Sequence, residues 1–427
     1  MKEYLVPSIC GRTYLYGRNA GVAVSSRIVS ALTMHICPDM LAKALGEAVC
    51  RFPQIAVGLA VENGRYVFTP VGKPVPVFEA DSQQVSDFSD PALNGYLFKV
   101  SYHHKSIYFD YHRAVTDEFG MMTFVKAVLL RYLELVGYPV STDGSVKLLS
   151  GDYLEGEGID AMVAVDDMPA SRPIWFMDAK AALPEVAEGP QEQVAQIRIP
   201  IAKLKKGYLD MVNIPVTYIA PLFSHAVYEQ VADKKGAGEY VVASVNVNLR
   251  PYFPSLTLIP YGTSVFLAYN RNLSEYPYDT VLMSQKKLLE AQLKGDTLAY
   301  SAQRKIADIE KVFDESVSIE VLDERFDAMR SSVASRSTYD IAKIGNVVLP
   351  DNMQRLVTEL YPVVPAGDRL FSVTVESFKN ELVVTVSGRE SVRTVCSRLV
   401  ELLHDNSIEA YMADMYSFIP MCKYGKE

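Results

Sequence analysis

The apolar residues at the start of the chain change from a helical period to a strand period. Between Pro38 and Pro53 they recur every three or four positions, which predicts a helix that the second proline ends. Residues 55–61 then alternate between apolar and polar. Asn63-Gly64 is a favoured two-residue turn, and 66–68 is apolar again. The pattern predicts a helix followed by a β-hairpin.

A second hairpin and a long helix come next. Residues 96–102 and 107–111 have strand character, with His104-Lys105 at the turn between them. Residues 119–136 have a helical apolar face, and Gly137 is a suitable residue to end that helix. The segment 112–118 is therefore expected where a strand ends and a helix begins.

The second half repeats this mixture of elements after a segment without periodicity. Residues 178–196 are rich in Pro, Gly, Ala and Glu, which favours a linker. Beyond it we predict a helix over 219–231, a strand over 240–247, a hairpin over 371–386 and a helix over 392–403. Strands mixed with helices in both halves predict an α/β (α+β) protein. The predicted domains are 1–178 and 197–427, joined by a linker at 179–196.

Composition excludes several classes of function. The chain has 427 residues, with 49% apolar and 22% charged, which is typical of a folded globular protein. Its net charge is −9 and its basic residues are scattered, so we expect no nucleic-acid partner and no general attraction to an anionic membrane.

The cysteines favour a reducing compartment. The five cysteines are odd in number and never form a CxxC pair, which is typical of buried free thiols rather than a disulfide framework or a zinc site. The N-terminus also lacks the apolar core of a signal peptide, and no apolar run approaches a membrane span. We expect a cytoplasmic protein.

The most informative stretch is 109–120, which reads FDYHRAVTDEFG. It resembles the HHxxxDG box of the CoA-dependent acyltransferases and peptide-synthetase condensation domains. In that family the second His is the general base of acyl transfer. Laid on the box, His112 is the first His, Arg113 replaces the second, Asp117 is the Asp, and Glu118 replaces the Gly.

The resemblance extends along nearly the whole chain. Residues 245–258 read VNVNLRPYFPSLTL and are similar to a segment of bacterial alcohol-acetyltransferase-like proteins, as are 50–53 and 344–350 in their order. The likeness implies two chloramphenicol-acetyltransferase-like domains, with mixed sheets flanked by helices and a tunnel between them. It also implies an acyl-CoA or acyl-pantetheine co-substrate, a small alcohol or amine acceptor, no metal and no tightly bound cofactor.

Arg113 decides what chemistry remains. A guanidinium has no lone pair to accept a proton at neutral pH, so Arg113 is not a general base. One interpretation is that Arg113 binds a substrate carboxylate or a donor phosphate. The other is that it fills an unused tunnel and pairs with Glu118 or another acid.

We expect mainly structural roles for the neighbouring residues of the motif. By the resemblance, His112 is a buried imidazole and Asp117 is ion-paired with an arginine, for which Arg250 is a candidate. Asp117 is also a good residue to cap the following helix. Glu118 is an alternative base, since burial raises the pKa of a carboxyl group, although Arg113 beside it opposes that effect.

No other histidine is a strong substitute for the missing base. His103 and His104 lie about eight residues away along a strand, and roughly 25 Å is too far for proton transfer to the motif. His225 is expected in a helix core and His404 near a helix end. Two functions stay open: an acyltransferase of doubtful activity, and a non-catalytic relative that binds an acylated or anionic small molecule or a carrier protein.

Overall fold

The computed structural model describes residues 5–17, 23–80, 87–173, 181–182, 189–232, 239–389, 391–413 and 415–421. Its α-helices are α1 (Ile9–Leu15), α2 (Pro38–Arg51), α3 (Glu118–Leu135), α4 (Met162–Asp166), α5 (Pro215–Val231), α6 (Arg271–Ser274), α7 (Tyr278–Gln292), α8 (Gly295–Val312), α9 (Ile319–Ala334), α10 (Asp351–Leu356) and α11 (Val392–Asp405). Its strands are β1 (Ser25–Leu32), β2 (Val57–Glu62), β3 (Arg65–Pro70), β4 (Val77–Glu79), β5 (Phe98–His103), β6 (Ser106–His112), β7 (Glu192–Pro200), β8 (Val241–Asn248), β9 (Gly262–Tyr269), β10 (Tyr339–Val347), β11 (Val357–Val363), β12 (Phe371–Phe378), β13 (Glu381–Gly388), β14 (Tyr411–Met412) and β15 (Tyr416–Phe418).

These elements form two mixed sheets covered by helices and a separate two-stranded sheet of β2 and β3. This architecture confirms the predicted α/β fold class. The first sheet has the order β11-β1-β6-β5-β4, and only β4 and β5 in it run parallel. Helices α2 and α3 share the core of this sheet. The second sheet has the order β14-β7-β13-β12-β10-β8-β9, and β15 also pairs with β7. Its core takes in α5, α7, α8 and α11.

The predicted elements of the first half lie where the apolar pattern placed them. The β2–β3 turn has Asn63 at φ 49° and Gly64 at φ 70°, the left-handed pair that a two-residue hairpin turn requires. The cap of α3 is the Asp117 side chain, which accepts a hydrogen bond from Gly120 N at 2.9 Å. The motif therefore lies between β6 and α3.

The connection between the two halves differs from the prediction. Strand β7 begins at Glu192, inside the segment 179–196 that we expected to be linker, because its residues pair with β13 and β15. Residues 174–180 and 183–188 lie outside the described residues. In addition, β11 comes from the predicted second domain but pairs with β1 of the first sheet. The domain ranges 1–178 and 197–427 stay predictions, and one strand crosses between them.

A polar stripe on β12 faces the junction between the two sheets. Ser372, Thr374 and Glu376 alternate along one face of β12, and Thr374 Oγ1 donates to the carbonyl of Pro362 on β11 at 3.4 Å. Glu376 is fully buried, and neither carboxylate oxygen has a hydrogen-bond partner among the described residues. Burial raises the pKa of Glu376 well above its ordinary value, although Arg198 opposes this.

Candidate active site

Strand β6 delivers the motif to the junction between the sheets. His112 is its last residue and pairs with Ser25 of β1, and Arg113 N then donates to Val24 O at 2.9 Å. The His112 imidazole is fully buried. Its Nδ1 accepts a hydrogen bond from Ala114 N at 3.1 Å, and its ring lies 5.1 Å from that of Phe88. His112 therefore faces the interior rather than the cavity described below.

A cavity of about 730 Å³ lies beside Arg113. One side of its lining comes from α1, the motif and the start of α3. The other side comes from β8, β9, β10, β12 and α8. Much of this second side is polar, and it includes Asn246, Ser264, Asp340, Ser372 and Thr374. A cavity of this size with dispersed amide, hydroxyl and charged groups is typical of a small-molecule site.

The guanidinium of Arg113 faces this cavity without a carboxylate partner. It lies over the ring of Tyr14 with 4.6 Å between Cζ and the ring centroid. Among the residues that the structure describes, no carboxylate lies within 4.0 Å of it. Burial lowers the pKa of Arg113, but Tyr14, Glu118, Tyr111 and Asp340 together outweigh burial, and the net pKa is raised. Arg113 is a permanent cation on the cavity wall.

Glu118 is the first residue of α3 and lines the same cavity. Among the described residues, the Glu118 carboxylate forms no hydrogen bond and no ion pair, and Arg113 is among the residues that it does not contact. The two charges act on each other only through space. One interpretation of the sequence was an ion pair between Arg113 and Glu118. The described residues do not form that ion pair.

Asp117 and Arg250 form the ion pair that the sequence suggested. Arg250 Nη1 donates to Asp117 Oδ2 at 2.8 Å, and Tyr261 N donates to the same oxygen at 3.1 Å. Arg250 also donates through Nε to Thr257 O and through Nη2 to Ile259 O, each at 2.8 Å. Asp117 thereby caps α3 and fixes the loop between β8 and β9 against the motif.

On its other side the same loop is hydrogen-bonded to the backbone of Glu157, whose buried carboxylate is paired with Arg51. Leu258 N donates to Glu157 O at 2.8 Å, and Glu157 accepts from Arg51 at 2.7 and 2.9 Å. Leu258 O in turn accepts from Thr116 Oγ1 at 2.6 Å. Gly120 is required at this point because a Cβ there would collide with Leu258 O and Thr116 Oγ1.

Most of the cavity wall was not predicted from the sequence, including Cys10, Tyr14 and Lys305. Cys10 and Tyr14 are four residues apart on α1 and both line the cavity, as does Lys305 of α8. Cys10 Sγ donates to Gly262 O at 3.8 Å, and Lys305 Nζ donates to the same oxygen at 2.9 Å. The four-residue spacing of Cys10 and Tyr14 is typical of two residues on one face of a helix. A helix of seven residues is too short, however, for a periodic apolar pattern to be recognised in the sequence.

No histidine lines the cavity, and the structure describes all six of them. His225 is half-buried, with Nδ1 2.5 Å from the Tyr269 hydroxyl and Nε2 3.1 Å from Glu229 Oε1. His103 and His104 lie at the β5–β6 turn, and His404 Nε2 contacts Ala410 O at 2.8 Å. In the described part of the chain, no group of three or more His, Cys, Asp or Glu side chains is arranged to hold a metal ion.

The described helices include none that is both long enough and apolar enough to cross a membrane.

Comparison with known proteins identifies the fold. No family model and no curated protein matches the chain. Among solved structures it is similar to TRI101 of F. sporotrichioides complexed with coenzyme A and T-2, at 11% identity and TM-score 0.58, over 96% of this chain and 99% of that one. It is also similar to the epimerization domain from the third module of tyrocidine synthetase B, at 10% identity and TM-score 0.58, over 94% and 96%.

A third similar structure is the TRI3 trichothecene 15-O-acetyltransferase from Fusarium sporotrichioides, at 12% identity and TM-score 0.53, over 93% of this chain and 94% of that one. The chain thus has the fold of CoA-dependent acyltransferases and condensation domains over 93–96% of its length. Identities this low establish the fold alone.

Proposed function

We propose that the chain binds an acyl thioester, or the carboxylate that its hydrolysis releases, in the cavity beside Arg113, and that it lacks the general-base reaction of the family that its motif resembles. The observation that carries this proposal is the Arg113 guanidinium, which faces a cavity of about 730 Å³ without a carboxylate within 4.0 Å among the described residues. A half-buried cation that has no carboxylate partner favours the binding of an anionic ligand.

The missing reaction follows from the residues at the motif. No histidine lines the cavity, and Arg113 does not accept a proton at neutral pH. His112 is buried with Nδ1 engaged by Ala114 N. Loss of a general base typically costs about 10²–10⁴ in rate, which leaves ligand binding as the activity that the site supports best.

The ligand class follows from the fold and the cavity lining. TRI101 was crystallised with coenzyme A, which supports an acyl-CoA or acyl-pantetheine ligand here. Asn246, Ser264 and Ser372 supply amide and hydroxyl groups of the kind that bind the amides of a pantetheine arm. The thioester is carried either by CoA or by a carrier protein.

Binding is tested by calorimetry with hexyl-CoA thioether, hexanoyl-CoA and hexanoate, comparing wild type with Arg113→Met. Wild type should bind at least one of them, and Arg113→Met should weaken that binding by about tenfold or more, because a hydrogen bond to a charged group contributes about 1.5–3 kcal/mol. The matched control is Arg271→Met, a surface arginine that is 81% exposed and should leave affinity unchanged.

Turnover is tested with the same donors and a panel of alcohols and amines. We expect no acylated acceptor from wild type and measurable product from Arg113→His, which restores a base at this position. Wild-type turnover that Glu118→Gln abolishes would contradict the proposal and assign Glu118 as the base. Equal affinities of wild type and Arg113→Met would also contradict it.

A further inference from the structure

A thiol and an ammonium group meet at one carbonyl on the cavity wall. Cys10 Sγ and Lys305 Nζ both donate to Gly262 O, at 3.8 and 2.9 Å. Cys10 is only 3% exposed, yet it lines the cavity together with Lys305 and Arg113. The motif chemistry described above uses neither Cys10 nor Lys305.

The packing of α1 brings this pair to the motif. Helix α1 contacts α8, which carries Lys305. Gly11 lets α1 approach the motif closely, since a Cβ there would lie 2.7 Å from Ala114 O. Tyr14, one turn after Cys10, places its ring under the Arg113 guanidinium. The thiol therefore shares one end of the cavity with two cations.

The electrostatics keep both neighbours charged. Burial lowers the pKa of Lys305, but Cys10 and Tyr14 outweigh burial, and the net pKa is raised. Arg113 lowers the pKa of Lys305 by a smaller amount, which places the two cations within range of each other. Lys305 therefore places a positive charge beside the Cys10 sulfur.

We propose that Cys10 is a nucleophile that accepts the acyl group of a thioester bound in the cavity, with Lys305 as the cation that stabilises its thiolate. The inference rests on the proposed function, because the donor is the same class of acyl thioester. A thiolate attacks a thioester without a general base at the moment of attack. A cavity without a histidine is compatible with this chemistry.

The reaction is an exchange between two thioesters. The Cys10 thiolate attacks the carbonyl carbon of the donor, so that a carbon–sulfur bond forms to Cys10 and the carbon–sulfur bond of the donor breaks. The Cys10 thiol first releases its proton to solvent, and the donor leaves as a thiolate that takes up a proton from solvent, while Lys305 stays an ammonium group beside the sulfur. The products are S-acyl Cys10 and the free donor thiol. Arg113 supplies N–H donors for the negative charge on the carbonyl oxygen.

The experiment is intact-mass analysis of the full-length protein after incubation with hexanoyl-CoA, followed by peptide mapping. We expect one hexanoyl group, mapped to Cys10 and removed by neutral hydroxylamine, which cleaves thioesters. Cys10→Ser should abolish this adduct. The matched control Cys50→Ser, at an exposed position on α2, should retain it.

The role of Lys305 is tested by the rate of Cys10 labelling, because a misfolded variant would expose Cys10 and would not slow its labelling. Lys305→Met should slow labelling of Cys10 by hexanoyl-CoA and by iodoacetamide by about tenfold, a factor that corresponds to about 1.4 kcal/mol. Lys305→Arg should restore most of the rate because it restores the charge. Equal rates in wild type and Lys305→Met would overturn the role of Lys305.

Binding of the hexyl-CoA thioether, which has no acyl group to transfer, separates this inference from the proposed function. If wild type binds the thioether but gains no adduct from hexanoyl-CoA, the inference about Cys10 is overturned and the proposed function stands. An adduct mapped to any residue other than Cys10 overturns it as well. If wild type neither binds the thioether nor gains an adduct, both are overturned.

Discussion

Asp117 connects three parts of the site through one carboxylate. It caps α3 at Gly120 N, accepts from Tyr261 N and forms the ion pair with Arg250. The side chain of Arg250 is only 6% exposed and that of Asp117 is 20% exposed, so solvent compensates little when one partner is lost.

We therefore predict that Arg250→Met destabilises the protein by about 3 kcal/mol, because it leaves Asp117 without its cation in a largely dry environment. The measurement is the free energy of unfolding in urea. Arg271→Met, which removes an exposed arginine, should change that free energy by less than about 0.5 kcal/mol. The prediction would be contradicted if Arg250→Met lowered the free energy of unfolding by as little as Arg271→Met does.

The pKa of Glu376 is raised in the folded protein, and we predict that the stability of the protein therefore depends on pH. Between the ordinary pKa and the raised one, folding takes up a proton, so the unfolding free energy falls by about 1.4 kcal/mol per pH unit as pH rises. Glu376→Gln does not titrate. Urea unfolding at several pH values should give a stability advantage of Glu376→Gln over wild type that grows from about pH 4.5 upward. A constant difference would show that Glu376 is ionised in the folded state.

The sequence identified the motif residues but not their surroundings. Structural roles could be assigned to His112, Asp117 and Arg250 because the family resemblance implies a buried imidazole and an Asp–Arg ion pair, and because an Asp before a helix is a good cap. Cys10 and Lys305 could not be paired, because they lie on helices far apart in the chain and meet only when α1 docks on α8. Tertiary contacts of this kind leave no local pattern.

At the scale of elements, the position of α1 depends on the absence of one side chain. We predict that Gly11→Ala destabilises the protein by about 1–3 kcal/mol and weakens binding of the hexyl-CoA thioether, because its Cβ would meet Ala114 O at 2.7 Å and Ser8 Oγ at 2.9 Å. Urea unfolding and calorimetry measure the two effects.

Gly46→Ala in α2 is the matched control. Beyond the adjacent backbone of α2 itself, no atom lies within 4 Å of a Cβ at Gly46, so alanine should stabilise the protein by up to about 1 kcal/mol through its higher helix propensity. Ligand affinity should stay at the wild-type value. A stabilising effect of Gly11→Ala would show that α1 tolerates a shift away from the motif.

The period of the apolar residues was sufficient to predict the long helices and the hairpins. It was insufficient to predict which distant strands pair with each other. The helices α2 and α3 and the hairpins β2–β3, β5–β6 and β12–β13 were predicted from their own residues, because each has a clear period and a turn or cap signal. The pairing of β11 with β1 was not predictable, because β11 has the apolar character of any buried strand and carries no signal that names its partner.

At the scale of the whole molecule, β11 makes the two halves interdependent. We predict that the isolated segment 1–178 shows no cooperative unfolding in urea, because β1 lacks the partner that completes its sheet. The same segment with residues 357–363 appended through a Gly/Ser linker should regain some cooperativity. Cooperative unfolding of 1–178 alone at the midpoint of the full chain would contradict the prediction.

The position of β11 also sets the order of events during synthesis. Strand β1 (Ser25–Leu32) leaves the ribosome well before its partner β11 (Val357–Val363), because more than 300 residues separate the two strands in the chain. Until then the nascent chain carries a sheet with an open edge, which other chains can add to. Slow translation of the second half would lengthen that exposure, so aggregation during expression is expected to depend on the synthesis rate of the stretch that precedes β11.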